Sequence, residues 1–165
     1  MIFETLNTYV DFVEDIDFKD ILDIYNSNKE FLKAHMDKEK VDIKWLEFEI
    51  NEMKKIGFYS CKIKDKNTLE TVGLLDFGMK EECYLSLLMI HNEYKNKGYG
   101  KEVYKGLEEY LNDKVSSIRI DVVTDYNKDV LKFWKLNGFE VKDEIKLNWA
   151  GKDLPAVLMK KYLIL

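Results

Sequence analysis

One stretch constrains the fold more than any other, the run from Cys83 to Asn112. An apolar segment empties into Lys95-Asn96-Lys97-Gly98-Tyr99-Gly100, and an amphipathic helix starts at once. The first four amides of a helix lack partners inside it. Glycines let the backbone come close to a ligand and take positive φ without a Cβ penalty. Lys95, Lys97 and Lys101 add positive charge at the same place. Strand, cationic glycine loop and helix in that order aim backbone N–H groups at a phosphate. The stretch therefore points to a phosphate-bearing ligand. A simple turn would explain Gly98 and Gly100 but not the lysines or the immediate helix start.

Composition narrows the class. With 165 residues, one proline and no low-complexity tract, the chain is expected to form a single domain over 1–165, large enough for a substantial core. A formal charge of −5, with no basic face beyond the lysine cluster, speaks against nucleic acid as a partner. The apolar runs are too short for a membrane span, and the N-terminus lacks the basic-then-apolar order of a signal peptide. Cys61 and Cys83 fall in apolar, strand-like stretches and read as reduced core residues of a cytoplasmic protein. Two His and two Cys without ligand spacing give no metal site.

In chain order, Ile2 to Val13 reads as the first strand, rich in β-branched and aromatic residues. Asp15 or Asp17 caps a helix whose apolar face is Phe18, Ile21, Leu22 and Tyr25. Asn26-Ser27-Asn28 breaks it, and Phe31-Leu32 lies in a turn or short helix. A second amphipathic helix runs from Asp42 to Ile56 with Gly57 as its exit. Phe58 to Ile63 and Thr71 to Phe77 form a hairpin around Lys64-Asp65-Lys66-Asn67. The helix after Gly100 carries Gly106 in its interior, which costs ~1 kcal/mol against Ala and predicts a close approach there. Ser117 to Val123 is a half-buried strand, and Asn127 to Asn137 a short helix ending at Gly138-Phe139. Val141 to Trp149 and Ala156 to Leu163 close the chain as a hairpin. The order predicts a mixed α/β fold, one largely antiparallel sheet with helices on its faces.

Two segments together resemble the GNAT acyltransferase superfamily, bacterial-type single-domain members that move an acyl group from coenzyme A to an amine. Leu88 through Gly100 is similar to that family's strand followed by Arg/Gln-x-x-Gly-x-Gly/Ala, with Lys95 in the basic position. Asn127-Lys128-Asp129-Val130-Leu131-Lys132-Phe133-Trp134-Lys135-Leu136-Asn137-Gly138-Phe139 is similar to its Asn-x-x-Ala-x-x-Leu-Tyr-x-x-x-Gly-Phe signature. The resemblance implies a three-layer fold with six to seven strands, and acetyl-CoA as co-substrate without a metal. It implies that amides of Lys95, Asn96, Lys97, Gly98, Tyr99, Gly100 and Lys101 bind the pyrophosphate. Leu88, Met89 and Ile90 would pair with the pantetheine arm as an added strand does. Asn127 would bond that arm, and Phe133, Trp134 and Lys135 would line its thiol end. The Ile90 N–H would polarise the thioester carbonyl. The partner would be an amine-bearing substrate, a small molecule or a protein, and a homodimer is compatible with the family.

The chain departs from the family's pattern at three positions. Lys95 replaces Arg or Gln, Asn92 replaces a frequent proline, and Trp134 replaces the Tyr that often serves as general acid. An indole N–H donates a hydrogen bond but is no acid at useful pH. A thiolate of pKa ~8.5 leaves tolerably unaided. The strand position that carries a carboxylate in some members matches Tyr84, with Glu82 and Asp76 the nearest acidic residues. Tyr84 and Glu82 are the catalytic candidates beside Ile90. Each has a plain structural reading as a half-buried strand residue or a solvated strand-end charge. His35 and His91 read as surface or hydrogen-bonded residues, and Asn127 as a helix cap that can also be a ligand. The alternative function is an acyl-CoA-binding module without catalysis. A nucleotide is disfavoured because the loop lacks the Gly-Lys-Ser/Thr ending of a P-loop.

Overall fold

A computed structural model describes residues 1–163. Eight strands are present among them: β1 Phe3–Glu4, β2 Thr8–Phe12, β3 Tyr59–Asp65, β4 Thr71–Met79, β5 Cys83–Ile90, β6 Ser117–Val123, β7 Glu140–Trp149 and β8 Lys152–Tyr162. The five α-helices are α1 Phe18–Ser27, α2 Lys29–Met36, α3 Ile43–Lys55, α4 Tyr99–Leu111 and α5 Lys128–Leu136. The strands form one sheet in the order β1-β2-β3-β4-β5-β6-β8-β7. Every pairing is antiparallel except β5 with β6. The mixed α/β, mostly antiparallel architecture agrees with the sequence expectation, and the strand count exceeds it by one.

The extra strand arises because Ile2–Val13 folds as two strands. Thr5 and Thr8 close the turn between them, with the Thr5 amide donating to the Thr8 carbonyl at 2.9 Å and the Thr8 amide to Thr5 Oγ1 at 3.0 Å. Phe31-Leu32 sits in a full helix, α2, capped C-terminally by Asp37 at φ 54°. β8 begins at Lys152, four residues ahead of the expected Ala156, and carries Pro155 inside it. A proline removes a ladder donor and so disguises a strand. Here it sits opposite Lys146 of the peripheral strand β7. Ala150 and Gly151, both at positive φ, make the tight connection between β7 and β8.

The sheet separates two cores. On one face Val103, Tyr104, Leu107 and Leu111 of α4 and Trp134 of α5 pack on Cys61, Leu75, Phe77 and Cys83. On the other, Ile21 and Ile24 of α1, Leu32 of α2 and Leu46 and Ile50 of α3 pack on Leu74 and Met89. Both cysteines are free and fully buried, and burial pushes their thiols up, that of Cys83 to about 12. They are apolar filler, as their positions in the sequence suggest. No helix among the described residues is long and apolar enough to cross a membrane.

Two contacts fix α4, which supports the glycine loop. β1 lies directly over Gly106, where a Cβ would come within 2.7 Å of Thr5 Cγ2 and 2.8 Å of the Phe3 ring. That is the close approach the glycine predicts. At the N-terminal end, the Tyr99 hydroxyl donates to Asp65 Oδ2 at 2.6 Å and ties the helix start to the end of β3. This bond is the largest cause holding the Asp65 carboxyl below its ordinary value, and it pushes the Tyr99 phenol up to about 12.

Gly106→Val is expected to destabilise the fold by about 1–3 kcal/mol through overpacking against Phe3 and Thr5. Denaturant unfolding checks this, and unchanged stability contradicts the packing of β1 on α4. Tyr99→Phe is expected to raise the Asp65 pKa. A carboxyl depressed in the folded state contributes stability above its unfolded value and loses it as pH falls through the folded value. The stability deficit of Tyr99→Phe should therefore be largest near neutral pH and shrink in the acidic range. A deficit independent of pH contradicts the anchor.

Candidate functional site

The site starts from a break in the sheet. β5 and β6 run parallel but pair only at Cys83↔Ile118 and Tyr84↔Arg119. Beyond Tyr84 they diverge. On its other side β5 stays paired with β4 as far as Gly73↔Ile90, with one register shift between Asp76 and Phe77 that leaves Ser86 as the extra residue. A bulge of this kind bends the strand and increases its twist. The His91 amide donates to the Val72 carbonyl at 2.8 Å. Antiparallel ladders alternate, so the backbone groups of Leu87 and Met89 face β4, and those of Leu88 and Ile90 face the opening. The Ile90 carbonyl accepts from Asn28 Nδ2 at 3.1 Å. An unpaired strand edge of this kind takes an added extended chain.

The opening is a cavity of about 490 Å³ bounded by β5, the glycine loop, β6 and α5. At one end lies the N-terminus of α4. Its N-cap is Gly98 at φ 88°, and no side chain among the described residues caps it. The first backbone bond of the helix runs from the Glu102 amide to the Gly98 carbonyl at 3.1 Å, so it uses none of the amides of Tyr99, Gly100 and Lys101. Asn96 also takes positive φ, at 63°. Two such reversals in three residues turn the loop around the helix start. A Cβ on Gly98 would meet nothing within 4 Å, which leaves room beside the amides. Lys95, Asn96, Gly98, Tyr99, Gly100 and Lys101 all line the cavity, whereas Lys97 lies outside the lining with its ammonium 5.4 Å from the centre of the Tyr94 ring.

The far wall is α5. Asn127 is its N-cap, with Oδ1 accepting from the Asp129 amide at 2.9 Å, and it also borders the cavity. Phe133 lies 3.8 Å from where a Gly100 Cβ would sit, so α5 and the glycine loop touch. Trp134 lines the cavity but is only 7% exposed. Its ring meets Tyr104, Phe133 and Phe139 edge-on at 4.9–5.5 Å. It is wall and core at once. Lys135 is exposed and does not line the cavity. The donor set at the loop, the free strand edge and the polar cap on α5 together suit a phosphorylated ligand with an extended amide-bearing arm.

The catalytic candidates fall in different places. Glu82 precedes β5 at the end away from the cavity, where its carboxylate pairs with Lys160 at 2.9 Å and accepts from Ser117 at 3.3 Å. The strand carries it away from the opening, and it borders neither this cavity nor its neighbour. Tyr84 donates to Asp121 at 2.5 Å, and Asp121 is held by Arg119. Burial, then that bond, pushes the phenol well up, so Tyr84 is a proton-bearing group and not a base near neutral pH. Ile90 has its backbone at the cavity edge. His91 is buried, with Nε2 donating to Asp23 Oδ2 at 3.0 Å and Nδ1 accepting from the Glu93 amide at 3.1 Å. His35 donates through Nδ1 to the Phe31 carbonyl at 3.0 Å, and burial pulls its pKa down.

Several residues of the opening come together in a way that the sequence does not signal. Asn28, taken there as part of a helix break, reaches 62 residues along the chain to bond Ile90. Phe31, His35, Tyr126 and Trp149 form an aromatic box on the cavity wall, with His35 stacked on Phe31 at 3.9 Å and edge-on to Tyr126 and Trp149 at 5.2 Å. The salt bridge of Lys152 to Asp37 at 2.8 Å ties the turn after Trp149 to the end of α2. No local pattern signals that box, because it is assembled from α2, the β6–α5 loop and β7.

The model of the acetyltransferase (GNAT) family matches residues 18–139. No curated protein matches the sequence. Among solved structures, an acetyltransferase from Thermus thermophilus superposes with a TM-score of 0.79 at 17% identity, covering 96% of this chain and 99% of that one. Spermidine N-acetyltransferase from Vibrio cholerae, solved with CoA and spermine, gives 0.74 at 14% identity, with 94% and 95% covered. The ribosomal-protein-S18-alanine N-acetyltransferase from Escherichia coli gives 0.71 at 12% identity, with 96% and 95% covered. At these identities the likeness speaks for the fold, and the family model speaks for descent. The chain belongs to the GNAT acetyltransferase family.

Proposed function

We propose that the protein transfers an acetyl group from acetyl-CoA to a primary amine by direct attack. The observation that carries the reading is one continuous path. The unpaired edge of Leu88 and Ile90 leads along the cavity to the uncapped N-terminus of α4. That path has the order of donors a CoA molecule needs, strand edge for the amides of its arm and helix amides for its pyrophosphate. Lys95 and Lys101 add charge, and Asn127 offers a side-chain amide across the cleft.

Acetyl-CoA, as co-substrate, supplies the thioester that the amine attacks. The protein's part is to hold that thioester against the splayed strands, offer a backbone N–H near Ile90 to the carbonyl oxygen as charge builds there, and exclude water with Phe133 and Trp134. Trp134 has no titratable proton, and a thiolate leaves without one. Among fold neighbours, one carries the name of a spermidine and one of a ribosomal-protein alanine N-acetyltransferase, so the fold accommodates both small and protein amines. The free, buried cysteines support a reducing, cytoplasmic setting. The buried Trp134 at the family's usual Tyr position, together with Tyr84 where some members carry a strand carboxylate, favours a second reading, an acyl-CoA-binding module without turnover.

Gly100→Glu is the sharper test of the donor site. A Cβ there comes no closer than 3.8 Å to its nearest neighbours, Phe133 and Ile90, which is ordinary contact, whereas Gly98 sits at positive φ and strains under any replacement. Calorimetry is expected to show CoA binding weakened at least about tenfold, because a carboxylate displaces the phosphate from the amides. Unchanged affinity in folded Gly100→Glu contradicts the assignment. Release of CoA thiol with an amine panel separates the enzyme from the binding module.

A further inference from the structure

A second cavity, of about 230 Å³, adjoins the first. The two share Ser86, Leu87, Leu147 and Trp149, so they meet at the β5 bulge. The second cavity lies on the α1/α3 face of the sheet. Its walls are mostly apolar, with Ile21, Leu46, Ile50, Met53 and Leu74 prominent. Its polar contributors include Glu49 of α3 and Asp76 of β4.

Asp76 is the anomaly. It is 6% exposed, and its Oδ1 accepts no hydrogen bond from any protein group among the described residues. A buried carboxylate oxygen left without a partner is costly, and native structures keep few of them. It lies opposite Leu87 in the β4–β5 ladder, one residue from the bulged Ser86, whose hydroxyl donates to the Asp76 carbonyl at 3.2 Å. Side chains directly opposite in an antiparallel pair share a face. Asp76 is therefore held at the junction of the two cavities, beside the strand whose free edge faces the donor.

Resting on the reading of the donor cleft given above, we propose that the second cavity seats a short alkylamine acceptor, with its stem on the apolar wall, and that Asp76 is the general base that removes its proton. Glu49, half-buried on the same cavity, draws the ammonium in. The acceptor's ammonium gives a proton to the Asp76 carboxylate. The nitrogen lone pair forms the C–N bond at the thioester carbonyl, and the C–S bond breaks with its electron pair passing to sulfur. The nitrogen then sheds its second proton, which neutralises the CoA thiolate, and Asp76 returns its proton to water. The products are the N-alkylacetamide and CoA thiol, with one proton released.

The electrostatics suit that task. Burial pushes the Asp76 carboxyl up to about 7; the Ser60 hydroxyl pulls the other way and the Glu49 carboxylate adds to the rise. Burial likewise raises Glu49. Facing Asp76 are Glu49 from α3, the Tyr25 phenol from α1 and the Tyr84 phenol from β5, and nearby, on the opposite face of the sheet, is the Cys61 thiol from β3. Burial drives the last three well up, so they stay neutral near pH 7, and Asp76 titrates against Glu49 alone. A base with a value near the working pH is the efficient one.

The test is steady-state transfer from acetyl-CoA to n-butylamine between pH 6 and 9, with calorimetry of CoA beside it. Asp76→Asn keeps the shape and removes the base. It is expected to bind CoA as the wild type does and to lose on the order of 10²–10³ in kcat/KM. It should also lose the rise in rate that the wild type shows as pH climbs through neutrality. Asp76→Glu should restore part of the rate and the pH limb, which a purely structural role would not produce. Glu49→Gln should raise KM for the amine with kcat less affected. Asp76→Asn with wild-type kcat/KM and an unchanged pH profile overturns the proposal. Wild-type protein that binds CoA but transfers to no alkylamine overturns this proposal and leaves the donor site standing. Wild-type protein that binds no CoA overturns the donor reading and this one with it.

Discussion

The divergence of β5 from β6 after two paired residues sets the rest of the structure. Continuous pairing there would give an unbroken sheet with no room between α4 and α5. Splaying leaves the Leu88 backbone and the Ile90 amide without a strand partner, while the Ile90 carbonyl is taken by Asn28, and backbone groups released in this way favour a ligand or water beside them. The neighbouring strand absorbs the geometry. β4 follows β5 along its whole length, and a single bulge in β5 at Ser86 takes up the twist. The opening thus rests on keeping β4–β5 intact while β5–β6 is released. The helices on the two faces hold both strands in that arrangement.

The loop after β5 depends on the same frame. Gly98 and Asn96 place the start of α4 at the open end of the cleft, and Tyr99 fastens it to the end of β3 through Asp65. β1 lying over Gly106 secures the middle of the helix. On the other face, Asn28 bonds Ile90 and its neighbour Ser27 accepts from the Asn92 amide at 3.0 Å. The α1–α2 junction therefore buttresses the strand end from behind. Donor groups held this way lose little freedom when a ligand arrives, which is the physical meaning of a pre-organised site.

How much of this the sequence announces follows from how local each cause is. The glycine loop and the Asn127–Phe139 segment are legible because helix starts, caps and exits are written in adjacent residues. Helices α1, α3, α4 and α5 follow from apolar spacing for the same reason. The division of Ile2–Val13 into two strands turns on a pair of threonine contacts that compositional reading passes over. Pro155 hides the first residues of β8 because its missing N–H matters only where a partner strand would need it. Glu82 looks close to the chemistry in sequence, yet it lies at the wrong end of β5 and pairs with Lys160. Asp76 reads as an ordinary strand-end charge until tertiary structure buries it at the bulge. The aromatic box and Asn28 belong to elements far apart in the chain, and no period or motif brings them together.

Amide hydrogen exchange with and without CoA tests the central claim most directly. If the released edge of β5 and the start of α4 bind the donor, the amides of Leu88, Ile90, Tyr99, Gly100 and Lys101 should exchange more slowly in the complex. Those of Leu87 and Met89, which face β4, should change little. Binding of CoA with no added protection at Leu88, Ile90 and the start of α4 would contradict the account.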